Sequence, residues 1–484
     1  MATDSRKMFM DVILKWMPNP EEPAGDDCWC PEIEKATPDK MKQIQSEKLE
    51  AAFRYIYEYS PYYSEKYKKA GLTPKDIKSI DDISKIPVTD KDDLKESIAA
   101  HPHWGNYSCI DDKLWKTDGW IVFLTTGTSG TPVPVRHTHF DRVAQSWHLA
   151  RQWWMSNIKS NDFVMYCVPF TTHIHAWIHS TAQETARIPM ISAGAPVSTE
   201  ARIDYIEKYK PTVLVGTPTY MIYLGESMKE KGIDPRKSSV RIVSCGGEAG
   251  GSLLQTRRRL SELWDADVGD LFGTTEAGGV GGHAQMCSYE MKDHGRHGRL
   301  HYAEDAGIPE ILDSNTLEPL ADGEFGTLTW SGVNSIAQPI LRFNVKDIAN
   351  IRSIECGCGR TMRMSEGGIV GRADDMIVMR GVNVFPTNIE EAVRDIDGFG
   401  NEYRIKIVEE RGLPDLIVEA EIIADVPKNE HDKLVKELQT KIKDKCQIRV
   451  TIDVVPFGSL PRSEFKAKRV IDMRESPDMA QLSN

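Results

Sequence analysis

Apolar residues recur at helical spacing through the first hundred positions. In SEKLEAAFRYIYEYSPYY, Leu49, Ala52, Phe53 and Ile56 fall on one stripe and Pro61 ends the run, so residues from about 32 to 100 are predicted to be helical. The middle of the chain alternates. DFVMYCVPF, PTVLVGTP and VRIVSCGG are short β-branched runs, with helical patterns such as YMIYLGESMKEKG between them, which predicts α/β layers around a largely parallel sheet. After GGIVGRADDMIVMRGVNVFP the texture changes. EYRIKIVEE, DLIVEAEII and IRVTIDVVP read as strands, the last with Ile448, Val450, Ile452 and Val454 in strict alternation, and NEHDKLVKELQTKIKDKC reads as an amphipathic helix. The boundary falls near Asp374. The expected fold is α/β: a large N-terminal domain of several subdomains with mostly parallel sheets (1–373), followed by a small α+β C-terminal domain (374–484).

Composition narrows the class. At 484 residues the chain exceeds one ordinary core, and 40% hydrophobic with 27% charged residues is typical of a globular protein in water. A net charge of −12 argues against a nucleic-acid or anionic-membrane partner, while leaving room for a local basic pocket. No apolar run approaches the roughly 20 residues that span a bilayer. The start, MATDSRKMFMDVILKWMPNP, has an apolar patch interrupted by Lys15, which does not fit a signal peptide. Nine cysteines in so long a chain do not suggest a disulfide framework, and Cys109, Cys167 and Cys446 sit in or beside apolar runs as small core residues would. A cytoplasmic enzyme is expected.

The stretch FLTTGTSGTPVPV (Phe123 to Val135) raises the first chemical question. Glycines and small hydroxyl residues let a backbone curl with its N–H groups inward, which suits phosphate oxygens, although a polar surface turn has the same local composition. Other motifs accompany it in order: LFGTTEAGG at Leu271–Gly279, PILRFNVKD ending at Asp347, GRADDMIVMRGVNVFPTNIEE, and LPRSEFKAKRVID. Together with the N-terminal YSPYYSEKYKKAGLTPKDIKSIDDISKIPVTDKDDL, they resemble the adenylate-forming enzymes, most closely the phenylacetate–CoA ligase family, over nearly the whole chain. A single Glu in a Gly-rich loop is usually a solvated turn residue, and a Lys near a C-terminus is usually on the surface; the ordered set favours the functional reading.

The resemblance implies an ATP-dependent, AMP-forming ligase that joins a carboxylic acid to coenzyme A, with Mg²⁺ as cofactor. A carboxylate is a poor electrophile; attack on the α-phosphorus of ATP gives a mixed anhydride from which a thiol displaces AMP. Thr125, Thr126, Gly127, Thr128, Ser129 and Gly130 would hold the β- and γ-phosphates, and Thr275 the α-phosphate. Phe272, Gly273 and Thr274 would line the nucleotide, Glu276 would bind Mg²⁺ through oxygen, and Gly246, Gly247 and Glu248 would flank the adenine. Asp347 would accept from the ribose hydroxyls, with Arg372 beside the nucleotide. Lys466 would bridge carboxylate and α-phosphate, with Arg462 on the same loop. Asp374 would be the pivot of a mobile C-terminal domain. The resemblance also implies a homodimer.

Two regions are less constrained. Cys356 and Cys358 in ECGCGR, with Cys287 and His301, resemble a set that holds structural zinc in some members of that family. His283, His294 or His297 could replace His301 as the imidazole, and two free cysteines in a turn remain the alternative. His173, His175 and Trp177 in PFTTHIHAWIHS fall where the family builds its acyl pocket, and could instead be partly buried helix residues. With nearby Arg136 and His137, they suggest an aromatic acid of benzoate or phenylacetate type, with a second polar or carboxylate group as in isophthalate. Three departures from the family pattern stand out: Thr131 where a Lys is common, Val345-Lys346 before the ribose Asp, and Phe465 before Lys466. An adenylating enzyme with another acceptor, or a non-catalytic nucleotide-binding protein, are the rival readings.

Overall fold

A computed structural model describes residues 4–125, 132–277, 282–379, 382–410, 413–462 and 469–474. The N-terminal helices follow their caps. Helix Pro38–Tyr59 starts with proline in its first turn and Thr37 accepting from Lys40 N, and buries Met41, Ile44, Leu49, Ala52, Phe53 and Ile56. Pro61 ends that stripe and opens helix Pro61–Lys69, which Ser60 caps by accepting from Tyr63 N. Asp90 and Asp93 form a reciprocal capping box at the start of helix Lys91–Ala100.

The central sheet has eight strands in the order Met364–Glu366, Arg299–Tyr302, Ala284–Gln285, Asp267–Phe272, Ile242–Gly246, Val213–Gly216, Val164–Tyr166, Met190–Ser192. The last five are mutually parallel, and the first three add antiparallel edges. Helices Ile174–Ala186, Thr199–Tyr209, Pro218–Glu230 and Leu254–Trp264 alternate with the parallel strands along the chain. Gly246 pairs with Leu271, so the loops after those two strands leave the same sheet edge side by side. Ligands of open α/β sheets bind at such carboxyl ends.

A second sheet, Gly307–Leu312, Gly326–Gly332, Ile340–Ala349 and Gly371–Arg372, is antiparallel throughout. Strand Gly326–Gly332 is buried at every position, although Thr327, Thr329 and Ser331 alternate with Leu328 and Trp330. Beyond it the chain builds a separate core of residues including Ile377, Ile389, Ile405, Leu416, Leu438 and Ile452. There, strands Thr451–Pro456, Leu413–Ile422, Phe399–Glu410 and Val470–Asp472 form one sheet, with helices Pro386–Arg394 and His431–Cys446. Ile448 and Val450 are buried in this core ahead of the strand, which begins at Thr451. The C-terminal unit meets the rest through Arg394 Nη1 to Thr256 Oγ1 at 2.6 Å, Gln255 to Asp395, and Asn401 Nδ2 to the Glu226 carboxylate at 2.7 Å. No helix among the described residues is long and apolar enough to cross a membrane.

Candidate active site

The phosphate-loop candidate leaves from a pinned neck. Thr125 N donates to Val133 O at 3.1 Å, and Thr125 Oγ1 accepts from Val133 N at 3.0 Å. Thr126, Gly127, Thr128, Ser129, Gly130 and Thr131 lie outside the described residues, as do Phe465 and Lys466. Val133 lines a small recess with Glu276, Tyr63, Tyr107 and Gln338, so the neck lies beside the predicted magnesium ligand.

The adenine-side loop follows strand Ile242–Gly246. A Cβ on Gly246 would press on Leu271 at 3.0 Å, and Gly247 adopts a φ of +87°, which favours glycine. Glu248 accepts from Thr219 N at 2.9 Å in the first turn of helix Pro218–Glu230, and burial pushes its carboxyl up. On the neighbouring strand Phe272 leads into Gly273, Thr274, Thr275 and Glu276. Thr274 Oγ1 and His283 Nε2 are 2.9 Å apart, Thr275 is buried, and Glu276 Oε1 pairs with Lys91 Nζ at 2.8 Å.

Asp347 lies opposite Arg372 in the second sheet, with Arg372 Nη1 3.2 Å from its Oδ1. The same guanidinium grips Asp374 at 2.8 and 2.9 Å, so one cation joins the ribose candidate to the hinge candidate. The segment around Lys91 ties this strand to the Glu276 side. Thr89 N donates to Arg342 O and Asn344 N donates to Thr89 O, while Lys346 Nζ pairs with Asp90 and Asp92 at 3.3 and 3.2 Å. Lys346, just before the ribose candidate Asp347, thus clamps the residues on either side of Lys91. Segment 89–92 thus links Glu276 to the strand that carries Asp347, and Val133 links Glu276 to the neck at Thr125.

On helix Ile174–Ala186, His175 turns toward the adenine-side loop: its Nδ1 would lie 3.7 Å from a Cβ on Gly247. His175 also neighbours Tyr166 and His179 in a buried ring cluster. Trp177 packs edge-on against Phe170 and donates to Thr171 O at 2.7 Å, and His173 caps the helix by accepting from His175 N. His173 and Trp177 thus fall one helical turn apart while His175 points elsewhere. Arg136 is buried between Trp104 and Trp115, and His137 is buried against Phe123.

The four metal-ligand candidates converge. One ligand atom each from Cys287, His301, Cys356 and Cys358 lies within 4.8 Å of every other. His301 and Met364 pair across adjacent strands, and His301 Nδ1 faces Met362 O at 3.1 Å while Nε2 faces Cys358 Sγ at 3.4 Å. That backbone partner directs Nε2 toward the thiols, the usual orientation of an imidazole ligand. Gly357 between the two cysteines has no room for a Cβ against the Tyr289 ring. The other three histidines are engaged elsewhere: His283 with Thr274, His294 with Ser261, and His297 with Leu254 N. Two features escape spacing arguments. Glu290 approaches Cys356 Sγ at 3.6 Å and is held by Arg296 and Arg299. Arg360, two residues past the knuckle, forms a fully buried pair with Glu34 at 2.7 Å, and Glu34 Oε1 accepts from Trp29 N and Cys30 N.

Comparison with known proteins places this geometry. The AMP-binding enzyme family model matches residues 54–338, and the model of the AMP-binding enzyme C-terminal domain matches 381–474. A phenylacetate-coenzyme A ligase of Aromatoleum evansii is 30% identical over 91% of this chain and 96% of its own length. The chain belongs to the phenylacetate–CoA ligase family of AMP-binding enzymes. Among solved structures, 2-hydroxyisobutyryl-CoA ligase in the postadenylation state with 2-HIB-AMP superposes with a TM-score of 0.87 at 27% identity, over 94% of both chains. The same ligase in its thioesterification state, with 2-HIB-AMP and CoA, gives 0.69 over 93% of both. Coverage is nearly equal, so the difference in score reflects arrangement, and this chain resembles the postadenylation form. Membership fixes the overall α/β architecture with its smaller C-terminal domain; it leaves the choice of acid to the pocket.

Proposed function

We propose that the protein is an ATP-dependent, AMP-forming acid–CoA ligase acting on an aromatic carboxylate through an acyl-adenylate. What supports the reading is that segment 89–92 links Glu276, through Lys91, to the strand that carries Asp347, while Glu276 lines a recess with Val133, the partner of Thr125. That arrangement would give a ribose acceptor on the antiparallel sheet and an oxygen ligand at the carboxyl edge of the parallel strands. The relatives named above, which are CoA ligases, support the same chemistry.

In the first half-reaction a carboxylate oxygen bonds to the α-phosphorus of ATP, and the bond to pyrophosphate breaks. Thr275 and the loop 126–130 would hold the phosphates, and Lys466 would neutralise the meeting anions. Glu276 would hold Mg²⁺, a hard cation that neutralises charge on the phosphates. In the second half-reaction the CoA thiol displaces AMP. We read the C-terminal unit as pivoting at Asp374 between the two steps, with the Arg372 link to Asp347 and Asp374 as its anchor.

The acid side rests on His175, which lies between Gly247 and the Tyr166–His179 rings, a setting suited to a flat ring with a polar substituent. The Cys287, His301, Cys356, Cys358 set would hold zinc in a closed, structural site. None of the nine cysteines is in a disulfide, which fits the cytoplasm. The test is a panel of benzoates, phenylacetates, aromatic dicarboxylates and aliphatic acids with ATP, Mg²⁺ and CoA. Equal yields of AMP and thioester with aromatic acids support the reading; activity confined to unsubstituted aliphatic acids removes the aromatic part of it.

A further inference from the structure

Two stretches without regular structure meet behind the metal-ligand candidates. Residues 17–30 form neither helix nor strand, and neither do residues 353–363, which hold the Cys356–Cys358 knuckle. Irregular backbone of this length stays in place only through partners outside itself.

The two stretches partner each other. Arg360 Nε donates to Glu34 Oε2 at 2.7 Å, and Arg360 Nη2 donates to Asp27 O at 2.9 Å. Thr361 N donates to Glu34 O at 3.2 Å, and Thr361 Oγ1 to Ala36 O at 2.6 Å. The other oxygen of the same carboxylate, Glu34 Oε1, accepts from Trp29 N at 3.1 Å and Cys30 N at 3.0 Å. Glu34 therefore shapes the turn that carries Cys28 and Cys30, and Arg360 holds Glu34. The two charged side chains are 1% and 2% exposed, so a shift of Arg360 would leave a buried carboxylate without its cation. Trp147 and Trp154 add neutral hydrogen bonds, to Pro18 O and Gly25 O. Under this cover Cys28 is 4% exposed and Cys30 is fully buried.

The knuckle has little of its own to fix it. Cys358 sits between Gly357 and Gly359, and Gly359 N donates to Cys356 O at 2.9 Å in a tight turn. Its strongest tie to the body of the protein would be a metal shared with Cys287 and with His301, which stands on a strand of the central sheet. Arg360 follows two residues after the last of those ligands.

We propose that the knuckle is a metal-dependent latch: with zinc bound it keeps Arg360 and Thr361 against the segment 17–36, and loss of zinc uncovers Cys28 and Cys30 as a pair of modifiable thiols. This rests on the zinc reading of the four-residue set.

The test applies short pulses of iodoacetamide to the full chain with its metal bound, reads each cysteine by peptide mass spectrometry and counts zinc by elemental analysis. In the metal-bound protein Cys28 and Cys30 label as slowly as Cys167 and Cys245, which lie in the core on the central sheet. A zinc chelator raises labelling of Cys28 and Cys30 about tenfold or more while Cys167 and Cys245 stay protected, and returning zinc reverses the change. Arg360→Gln cuts the latch on its other side, so Cys28 and Cys30 label at the raised rate with zinc still at one per chain. If that variant does not fold, the chelation arm on the wild type decides. Cys28 and Cys30 staying as protected as Cys245 after zinc is gone would overturn the latch, as would all four thiols labelling together, which would make zinc a support for the whole fold. A chain that takes up no zinc overturns the zinc reading and the latch together, and the elemental count tells that failure from the others.

Discussion

Replacing Asn401 with alanine should tilt the balance between the two half-reactions. Asn401 is 8% exposed, and its amide donates to both carboxylate oxygens of Glu226 at 2.7 Å, across the contact between the C-terminal unit and helix Pro218–Glu230. The proposed rotation about Asp374 would have to break this bond, along with those of Arg394 to Thr256 and Gln255 to Asp395. A hydrogen bond to a charged group is worth about 1.5–3 kcal/mol, and the part-exposed Glu226 lowers this to about 1–2 kcal/mol. Glu226 keeps Arg259 at 2.6 Å, so no buried charge is stranded. The arrangement seen here should therefore lose a factor of about 5–30 against the rotated one. The assay is single-turnover kinetics of each step: pyrophosphate exchange for adenylation, and thioester formation from a supplied acyl-adenylate. The ratio of thioester rate to adenylation rate should rise by that factor. An unchanged ratio, or two rates falling together, would refute the argument that this contact holds the postadenylation arrangement.

Other outcomes follow from the same geometry. The purified chain should carry one zinc, measured by elemental analysis, and Cys358→Ser should release it and lower the melting temperature, because the ligand set closes a knuckle next to the buried Glu34–Arg360 pair. Burial raises the Asp270 carboxyl to about 7, against the hydrogen bond from Ser252. The folded value exceeds the unfolded one, so the neutral form's contribution is complete below about pH 4 and is lost as pH rises through about 7, with a ceiling of about 4 kcal/mol. Melting temperatures at pH 5 and 8 should show that slope in the wild type and not in Asp270→Asn. A Cβ on Gly307 would overlap the fully buried Trp330 ring, so Gly307→Ala should cost about 1–3 kcal/mol in denaturant titration. Because Trp330 packs at a tilt against His283, which meets Thr274, that variant should also weaken nucleotide binding.

The parts of the fold that announce themselves in sequence have local causes. The parallel strands read as short β-branched runs with helices between them, and Thr37, Ser60 and Asp90 mark helix starts. Strand Gly326–Gly332 alternates Thr327, Thr329 and Ser331 with Leu328 and Trp330, yet every position is buried, so its alternation does not mark a solvent face. The site divides similarly. Glycine-rich turns and the Thr-Glu and Cys-x-Cys spacings are local, so their residues are visible in the chain. The Lys91–Glu276 pair is not, because folding alone brings its two members together. The choice of His301 among four histidines depends on Met362 O fixing one ring nitrogen, which no spacing encodes. His173 and Trp177 are one turn apart on a helix with His175 turned away, so periodicity alone separates a trio that composition groups together.

The account depends on a carboxylate oxygen reaching the α-phosphorus at the site bounded by Thr125, Glu276 and Asp347. The direct measurement labels an accepted aromatic acid with heavy oxygen in its carboxylate and follows the label by mass spectrometry after reaction with ATP, Mg²⁺ and CoA. AMP carrying one carboxylate oxygen is the predicted result. Label appearing in inorganic phosphate, or remaining wholly in the acid and thioester, would contradict it.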